Sequence, residues 1–258
     1  MRLFKRSKKN TNRQFSANPR DDYKSKDYYL RELQRIDDFL SEIEIGVKKS
    51  PKADIKQYYY VVNMYVYQRF CILYVLQADI KMLTDEALRY CRNWYAYTQL
   101  GGEMSYSDLC SALSLYLLLP LDHTEIAFLE QHMIEEKYVD AVLDLLRNTA
   151  FHNQAVTDKS FYFKDKGYVG VDHTDSTGEL MKAIRAEDKA IRTAEFVNFL
   201  ETVKESHYRR LLKYYEKIGE DRYTYIGSYD FRITAVAKVL EIDKAAIADS
   251  KFIAADLL

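Results

Sequence analysis

Residues 223–243 read YTYIGSYDFRITAVAKVLEID, and this stretch decides how the fold is interpreted. A turn that contains Tyr and Gly comes first, a helix of small and apolar residues follows, and an Ile-Asp step opens a last short turn. Gly227 permits a tight turn, while Ala235 and Ala237 leave room for a neighbouring helix. Asp243 is placed to cap the final turn. The stretch therefore predicts a closely packed C-terminal helix.

Composition favours helices in the rest of the chain. The 258 residues are 48% hydrophobic, which excludes a disordered protein and provides for a sizeable core. Only 8 Gly and 3 Pro are present, which is little turn chemistry for an all-β fold. Residues 58–78 are apolar enough to suggest a membrane span, but polar side chains interrupt them, so a central buried helix is expected.

Apolar residues recur at helical spacing along most of the chain. Ser105 with Asp108, and Ser176 with Glu179, have the spacing of capping boxes. The C-terminal helix is expected at about 228–240. Short connections imply antiparallel neighbours. The sequence predicts an all-α fold, an antiparallel helical bundle of two packed helical subdomains. The parts are a basic flexible tail at 1–20, a helical domain at 21–149, and a helical domain at 150–258 with a long entry loop at 150–177.

The charge distribution is uneven. Residues 1–20 carry seven basic side chains and no acidic one, which leaves 31 basic and 39 acidic residues in 21–258, a balance of −8. An acidic body suits a basic partner, because charge complementarity raises association rate and selectivity. The basic tail supports a different interpretation, a helical scaffold that binds nucleic acid. That interpretation predicts binding that falls steeply with salt and is lost when residues 1–20 are deleted.

Arg147 and His152 form the sharpest catalytic candidate. Their segment, RNTAFH, is similar to the motif of the HEPN ribonucleases, which are also all-helical. His152 could act as acid and base, and Arg147 could stabilise a phosphorane. The same residues also have a structural explanation. Arg and His side chains are favoured at the C-terminus of a helix, where their positive charge stabilises the helix dipole. Both interpretations remain open at this point.

Residue spacing gives no sign of a metal or cofactor site. The five histidines lack partners at metal-ligand spacing, and His173 beside Asp172 and Asp175 suits a solvated acidic loop. No P-loop, GxGxxG or Gly-x-Ser-x-Gly occurs. Three cysteines without a Cys-x-x-Cys spacing indicate free buried thiols in a reducing cytoplasm. No metal and no cofactor are expected.

Two parts of the chain resemble the PoNi-type immunity proteins of bacterial polymorphic nuclease toxins. The N-terminal part is Arg20-Asp21 before a long charged helix, followed by an aromatic-rich helix with Leu73-Tyr74. The C-terminal part is more specific. Its matching positions are Gly227, Phe231, Ala235, Val236, Ala237, Lys238, Leu240, Ile242, Asp243, Asp256 and Leu257.

The chain departs from the family pattern at several positions. The family usually has Trp where Tyr229 stands, Glu where Arg232 stands and Gly where Glu241 stands. Its closing Tyr-Pro-x-Asp is replaced by residues 253–256, IAAD. These departures leave the identity of the toxin open. The signature positions are expected to serve folding rather than contact, and they are Gly227, Tyr229, Phe231, Ala235, Ala237, Asp243 and Asp256.

The resemblance implies a cytoplasmic immunity protein without enzymatic activity. Such a protein binds its cognate toxin domain, here expected to be a DNase, and blocks the active site. It has no small-molecule substrate and does not bind a membrane. Nucleic acid is not an expected partner. Exposure, charge and loop length indicate the contact residues, which we expect to be Asp165, Tyr168, Asp172, Asp175 and Glu179.

Overall fold

The computed structural model describes Phe15 and residues 19–47, 52–134, 141–152, 179–218 and 225–258. Regular secondary structure in these ranges is helical, which confirms the predicted all-α fold. The α-helices are α1 (Lys26–Val47), α2 (Lys52–Val75), α3 (Ile80–Gln99), α4 (Tyr106–Leu118), α5 (Ala127–Ile134), α6 (Ala141–Arg147), α7 (Glu179–Arg185), α8 (Lys189–Phe199), α9 (Glu205–Ile218), α10 (Phe231–Val239) and α11 (Lys244–Ile247).

Side-chain caps define several helix starts. The capping box of Ser105 and Asp108 begins α4, as predicted. Asp243 caps α11 by accepting a hydrogen bond from the main-chain N–H of Ala245, also as predicted. Helix α10 begins at Phe231 rather than near residue 228, because Asp230 is its N-cap. Ser176 lies outside the described residues, and α7 begins at Glu179.

Helix α2 lies at the centre of the fold. It packs against both α1 and α3, and its C-terminal half is buried from Phe70 to Val75. This confirms the prediction of a central buried helix for the C-terminal half of α2, whereas Tyr60 and Met64 in its N-terminal half are exposed. No helix within the described ranges is long and apolar enough to cross a membrane.

The hydrophobic core continues across the predicted boundary between the two halves. Helix α10 packs against α4 and α6. The Phe231 ring lies 4.9 Å from the Phe70 ring and 5.1 Å from the Tyr74 ring, between ring centroids. The division into two subdomains at 149/150 stays a prediction, but the buried side chains on either side of it form one cluster.

Two π-turns interrupt or extend the helices. Asn148–His152 continues α6 as a π-turn, so residues 150–152 belong to this turn rather than to the entry loop predicted at 150–177. Leu200–Lys204 is the second π-turn and joins α8 to α9 without a break. The two short 3₁₀ turns are His123–Glu125 and Ala255–Leu257.

Candidate functional site

Four of the five predicted contact residues lie outside the described part of the chain. They are Asp165, Tyr168, Asp172 and Asp175. Glu179 is the first residue of α7. The predicted contact surface therefore stays a prediction.

Asp21 is the centre of a buried hydrogen-bond cluster that joins the two ends of the chain. Asp21 is buried, with only 5% of its surface exposed. Oδ1 accepts from the Tyr29 hydroxyl at 3.1 Å and from the Tyr23 main-chain N–H at 3.0 Å. Oδ2 accepts from the Tyr225 hydroxyl and the Ser228 main-chain N–H, each at 2.8 Å. These four hydrogen bonds use the full acceptor capacity of the Asp21 carboxylate.

Arg20 forms a second set of contacts beside this cluster. Its Nη2 donates to Asp256 Oδ2 at 2.6 Å, and its Nη1 donates to the Tyr74 carbonyl oxygen at 2.7 Å. The guanidinium carbon lies 4.1 Å from the centroid of the Tyr74 ring. The Tyr74 hydroxyl donates to Asp256 Oδ1. Asp256 is therefore held by both an arginine and a tyrosine from the N-terminal half.

Gly227 and Tyr229 bring the C-terminal turn against α2. Gly227 has φ +105°, and a Cβ there would lie 2.7 Å from Val75 Cγ2, so a side chain would be strained and would clash. The Tyr229 hydroxyl donates to the Arg20 carbonyl oxygen at 3.0 Å, and its ring lies 4.9 Å from the Tyr74 ring. We name these contacts, together with those of Arg20 and Asp21, the signature cluster.

The remaining signature positions support packing or capping. Phe231, Ala235 and Ala237 are buried in α10. Helix α10, which carries these residues, packs against α4 and α6. Asp243 caps α11. In the structure these positions therefore serve packing, capping or hydrogen bonding.

Burial makes the tyrosines of the cluster poor acids. It raises the pKa of Tyr29, Tyr74 and Tyr225 far above the ordinary tyrosine value, and the nearby carboxylates of Asp21 and Asp256 add to the effect. These hydroxyls are therefore neutral donors at physiological pH. They donate hydrogen bonds to Asp21 and Asp256 and so stabilise the folded structure.

The predicted catalytic pair lies at the end of α6. Arg147 Nη2 is 3.1 Å from Asp144 Oδ1 within the same helix. His152 Nε2 is 3.9 Å from Glu130 Oε1, and its side chain is 45% exposed. Arg147 directly precedes the π-turn and His152 is its last residue, and the two side chains lie near different carboxylates. In a regular α-helix the same residues would point about 140° apart.

Neither the cysteines nor other ligand-type side chains form a metal site in the described ranges. No group of three or more His, Cys, Asp or Glu there could hold an ion. Cys71, Cys91 and Cys110 are buried and free, as the sequence predicted. Burial raises the pKa of Cys91 to about 12 and that of Cys71 further, so neither thiol is a ready nucleophile.

Two charged clusters were missed by the sequence interpretation. Arg69 joins α2 to the neighbouring helices by donating to Asp37 at 2.7 Å and to Glu86. Lys204 donates to Asp230 Oδ2 at 2.7 Å across 26 residues. Only a weak indication of these two clusters was present in the sequence. Arg69 interrupts an apolar helix, and Lys204 follows residues that form an apolar helix face.

No protein family, curated protein or solved structure matches this chain. The resemblance to the PoNi-type immunity proteins therefore stays a prediction from the residues that carry it.

Proposed function

We propose that this protein is an immunity protein, which binds a nuclease toxin and blocks its active site. The observation that supports the proposal is the signature cluster. Arg20, Asp21 and Tyr74 come from the N-terminal part of the resemblance, and Gly227 to Asp256 come from the C-terminal part. Arg20 and Asp256 are 236 residues apart in sequence yet form an ion pair at 2.6 Å. The residues that carry the two parts of the resemblance thus contact one another.

The charge of the chain favours a basic partner. Residues 21–258 carry eight more acidic than basic side chains. Nucleases bind a polyanion, so their substrate-binding surfaces attract carboxylates. Charged surfaces of opposite sign accelerate association and select the partner. The acidic residues predicted for contact, Asp165, Asp172 and Asp175, would take the place of substrate phosphates in this complex.

Co-expression with the toxin domain encoded next to its gene tests the proposal. A tag on the toxin should recover this protein in a stoichiometric complex, and growth should be rescued. Reversing Asp165, Asp172 and Asp175 together to Lys should weaken the complex and lose rescue. Soluble, folded protein that neither binds nor rescues would refute the proposal.

A matched triple reversal controls for net charge. Asp85, Glu201 and Glu216 are exposed residues on α3, the second π-turn and α9. Their reversal changes the net charge by the same amount at residues that are not among the predicted contacts. We expect this variant to retain binding and rescue. Equal loss in both triples would show that overall charge, and not the predicted contacts, governs the complex.

The π-turn at Asn148–His152 favours one second candidate, a HEPN-like ribonuclease. Arg147 directly precedes this turn and His152 ends it, so one wide turn of the helix separates the two residues of the motif. His152 is also exposed enough to reach a substrate. This candidate requires metal-independent RNA cleavage by the purified protein, abolished in His152→Ala. His123→Ala is the matched control, since His123 lies on a neighbouring turn.

A further inference from the structure

Helix α9 differs in charge from the body of the chain that carries it. The helix has four basic and two acidic side chains, although residues 21–258 together carry eight more acidic than basic ones. One side of α9 packs against the hydrophobic core through Tyr208, Leu212 and Tyr215. Its charged side chains therefore belong to the other side of the helix.

Four side chains form a stripe along that other side. Successive residues of an α-helix are about 100° apart, so these four lie within an arc of about 100°. All four are exposed, and they are Arg210, Lys213, Tyr214 and Lys217. We name them the α9 stripe. The acidic residues of α9 lie outside this arc.

The three cations of the stripe lack carboxylate partners in the part of the chain that the structure describes. Arg209, beside the stripe, donates to Glu205 at 2.8 Å, and Lys251 Nζ lies 2.7 Å from the other oxygen of Glu205. Within the same ranges, no ion pair holds the cations of the stripe. Their positive charge is therefore available to an external anion.

The spacing of these cations fits a nucleic-acid backbone. From Arg210 to Lys217 the helix rises by about 10 Å. Phosphates of one strand in duplex DNA follow one another at about 3.4 Å along the axis, so the stripe spans about three phosphates. Arginine and lysine bind phosphate oxygens by charge-assisted hydrogen bonds.

Tyr214 favours a single strand over a duplex or a membrane. It lies among the cations and is 52% exposed. The bases of a single strand stack on exposed aromatic rings, whereas those of a duplex already stack on one another. A helix that binds a membrane surface inserts its apolar side, but the apolar side of α9 packs against the core.

We propose that the α9 stripe binds single-stranded nucleic acid, with its three cations on the phosphates and the Tyr214 ring stacked on a base. The resemblance to the immunity proteins implies no nucleic-acid partner, so this proposal goes beyond the proposed function. It also differs from binding by the basic tail, because the stripe belongs to a helix of the folded body.

Fluorescence anisotropy of a labelled oligothymidylate of about 12 nucleotides measures binding to the full-length protein at several salt concentrations. This DNA probe has no 2′-hydroxyl, so ribonuclease activity would not cleave it. Arg210→Gln, Lys213→Gln and Lys217→Gln together should weaken binding about 100-fold at about 0.1 M salt. The slope of log K against log salt should become shallower by about 2, because three phosphate contacts are lost.

Lys81→Gln, Arg185→Gln and Lys244→Gln together form the matched control. These residues are exposed on α3, α7 and α11, so the same charge is removed outside the stripe. Affinity should stay within about threefold and the salt slope should not change. Equal losses in both triple variants would overturn the proposal. Unchanged affinity in the stripe variant would also overturn it, because the basic tail would then be the binding site. Circular dichroism checks that both variants are folded.

Tyr214→Ala tests the stacked base, with Tyr214→Phe as its conservative counterpart. The Ala variant should bind the oligothymidylate about tenfold more weakly at an unchanged salt slope, and the Phe variant should bind normally. Neither change should alter the affinity for a duplex of the same length. Tighter binding to the duplex would overturn the proposal. Binding to phosphatidylserine vesicles without binding to the oligothymidylate would do the same.

Discussion

Replacing Asp21 by Asn tests whether the signature cluster holds the fold together. The change keeps the shape of the side chain but replaces one carboxylate oxygen by an NH₂ group. Each oxygen of Asp21 accepts one main-chain N–H, from Tyr23 on one side and Ser228 on the other. Whichever way the amide turns, one of these N–H groups therefore faces another donor. Tyrosine hydroxyls can rotate, but a main-chain N–H cannot.

The expected cost follows from these contacts. A buried N–H left without an acceptor costs about 1–3 kcal/mol. The remaining hydrogen bonds to residue 21 weaken by about 1 kcal/mol each, because their acceptor is no longer a charged carboxylate. Relief of the buried charge offsets part of the loss. We expect a net loss of about 3 kcal/mol in the free energy of unfolding. For a chain of this size the loss lowers Tm by about 6–12 °C.

Urea unfolding followed by circular dichroism measures the effect, with Asp22→Asn as the matched control. Asp22 is exposed and adjacent, so its replacement should change the free energy of unfolding by less than about 0.5 kcal/mol. The folded Asp21→Asn protein should still bind the toxin, because the cluster serves folding. A difference of less than about 1 kcal/mol between the two variants would refute this account of the cluster.

Four further outcomes are expected. Gly227→Ala should cost about 2–4 kcal/mol in urea unfolding, from the positive φ and the clash with α2; a neutral effect would contradict the geometry. Arg69→Met should cost about 3–5 kcal/mol in the same assay, because Glu86 is left buried without its main cation. Burial raises the pKa of Tyr208 and Tyr229 to about 12. Unfolded tyrosine loses its proton near pH 10, so stability is full below pH 10 and should fall as pH rises towards 12, as urea midpoints at successive pH values will show. The three buried cysteine thiols should resist a thiol reagent in the native protein and react at once in denaturant.

The sequence could predict features that depend on neighbours along the chain. The helices, the capping box of Ser105 and Asp108, and the cap at Asp243 follow from hydrogen bonds between residues two or three apart. Burial of α2 followed from its apolar residues on every side. Free buried thiols followed from spacing and composition. These features need no knowledge of which helices meet.

Local patterns were less reliable where a helix could continue in two ways. The sequence places a loop from residue 150, but Asn148–His152 extends α6 as a π-turn. Leu200–Lys204 likewise joins α8 to α9 as a π-turn. A π-turn differs from an α-turn by one inserted residue, and apolar periodicity over a few residues does not distinguish them.

Only the tertiary structure decided which distant residues meet. Composition and helical periodicity do not tell Asp21 from Asp22, yet Asp21 accepts a hydrogen bond from Ser228 across 207 residues while Asp22 is exposed. Lys204, at the end of the second π-turn, and Asp230, the N-cap of α10, likewise meet only when these two parts of the chain pack together. The reason is physical: a helix specifies its own hydrogen bonds locally, but the partner of a buried charge depends on how whole helices pack against one another.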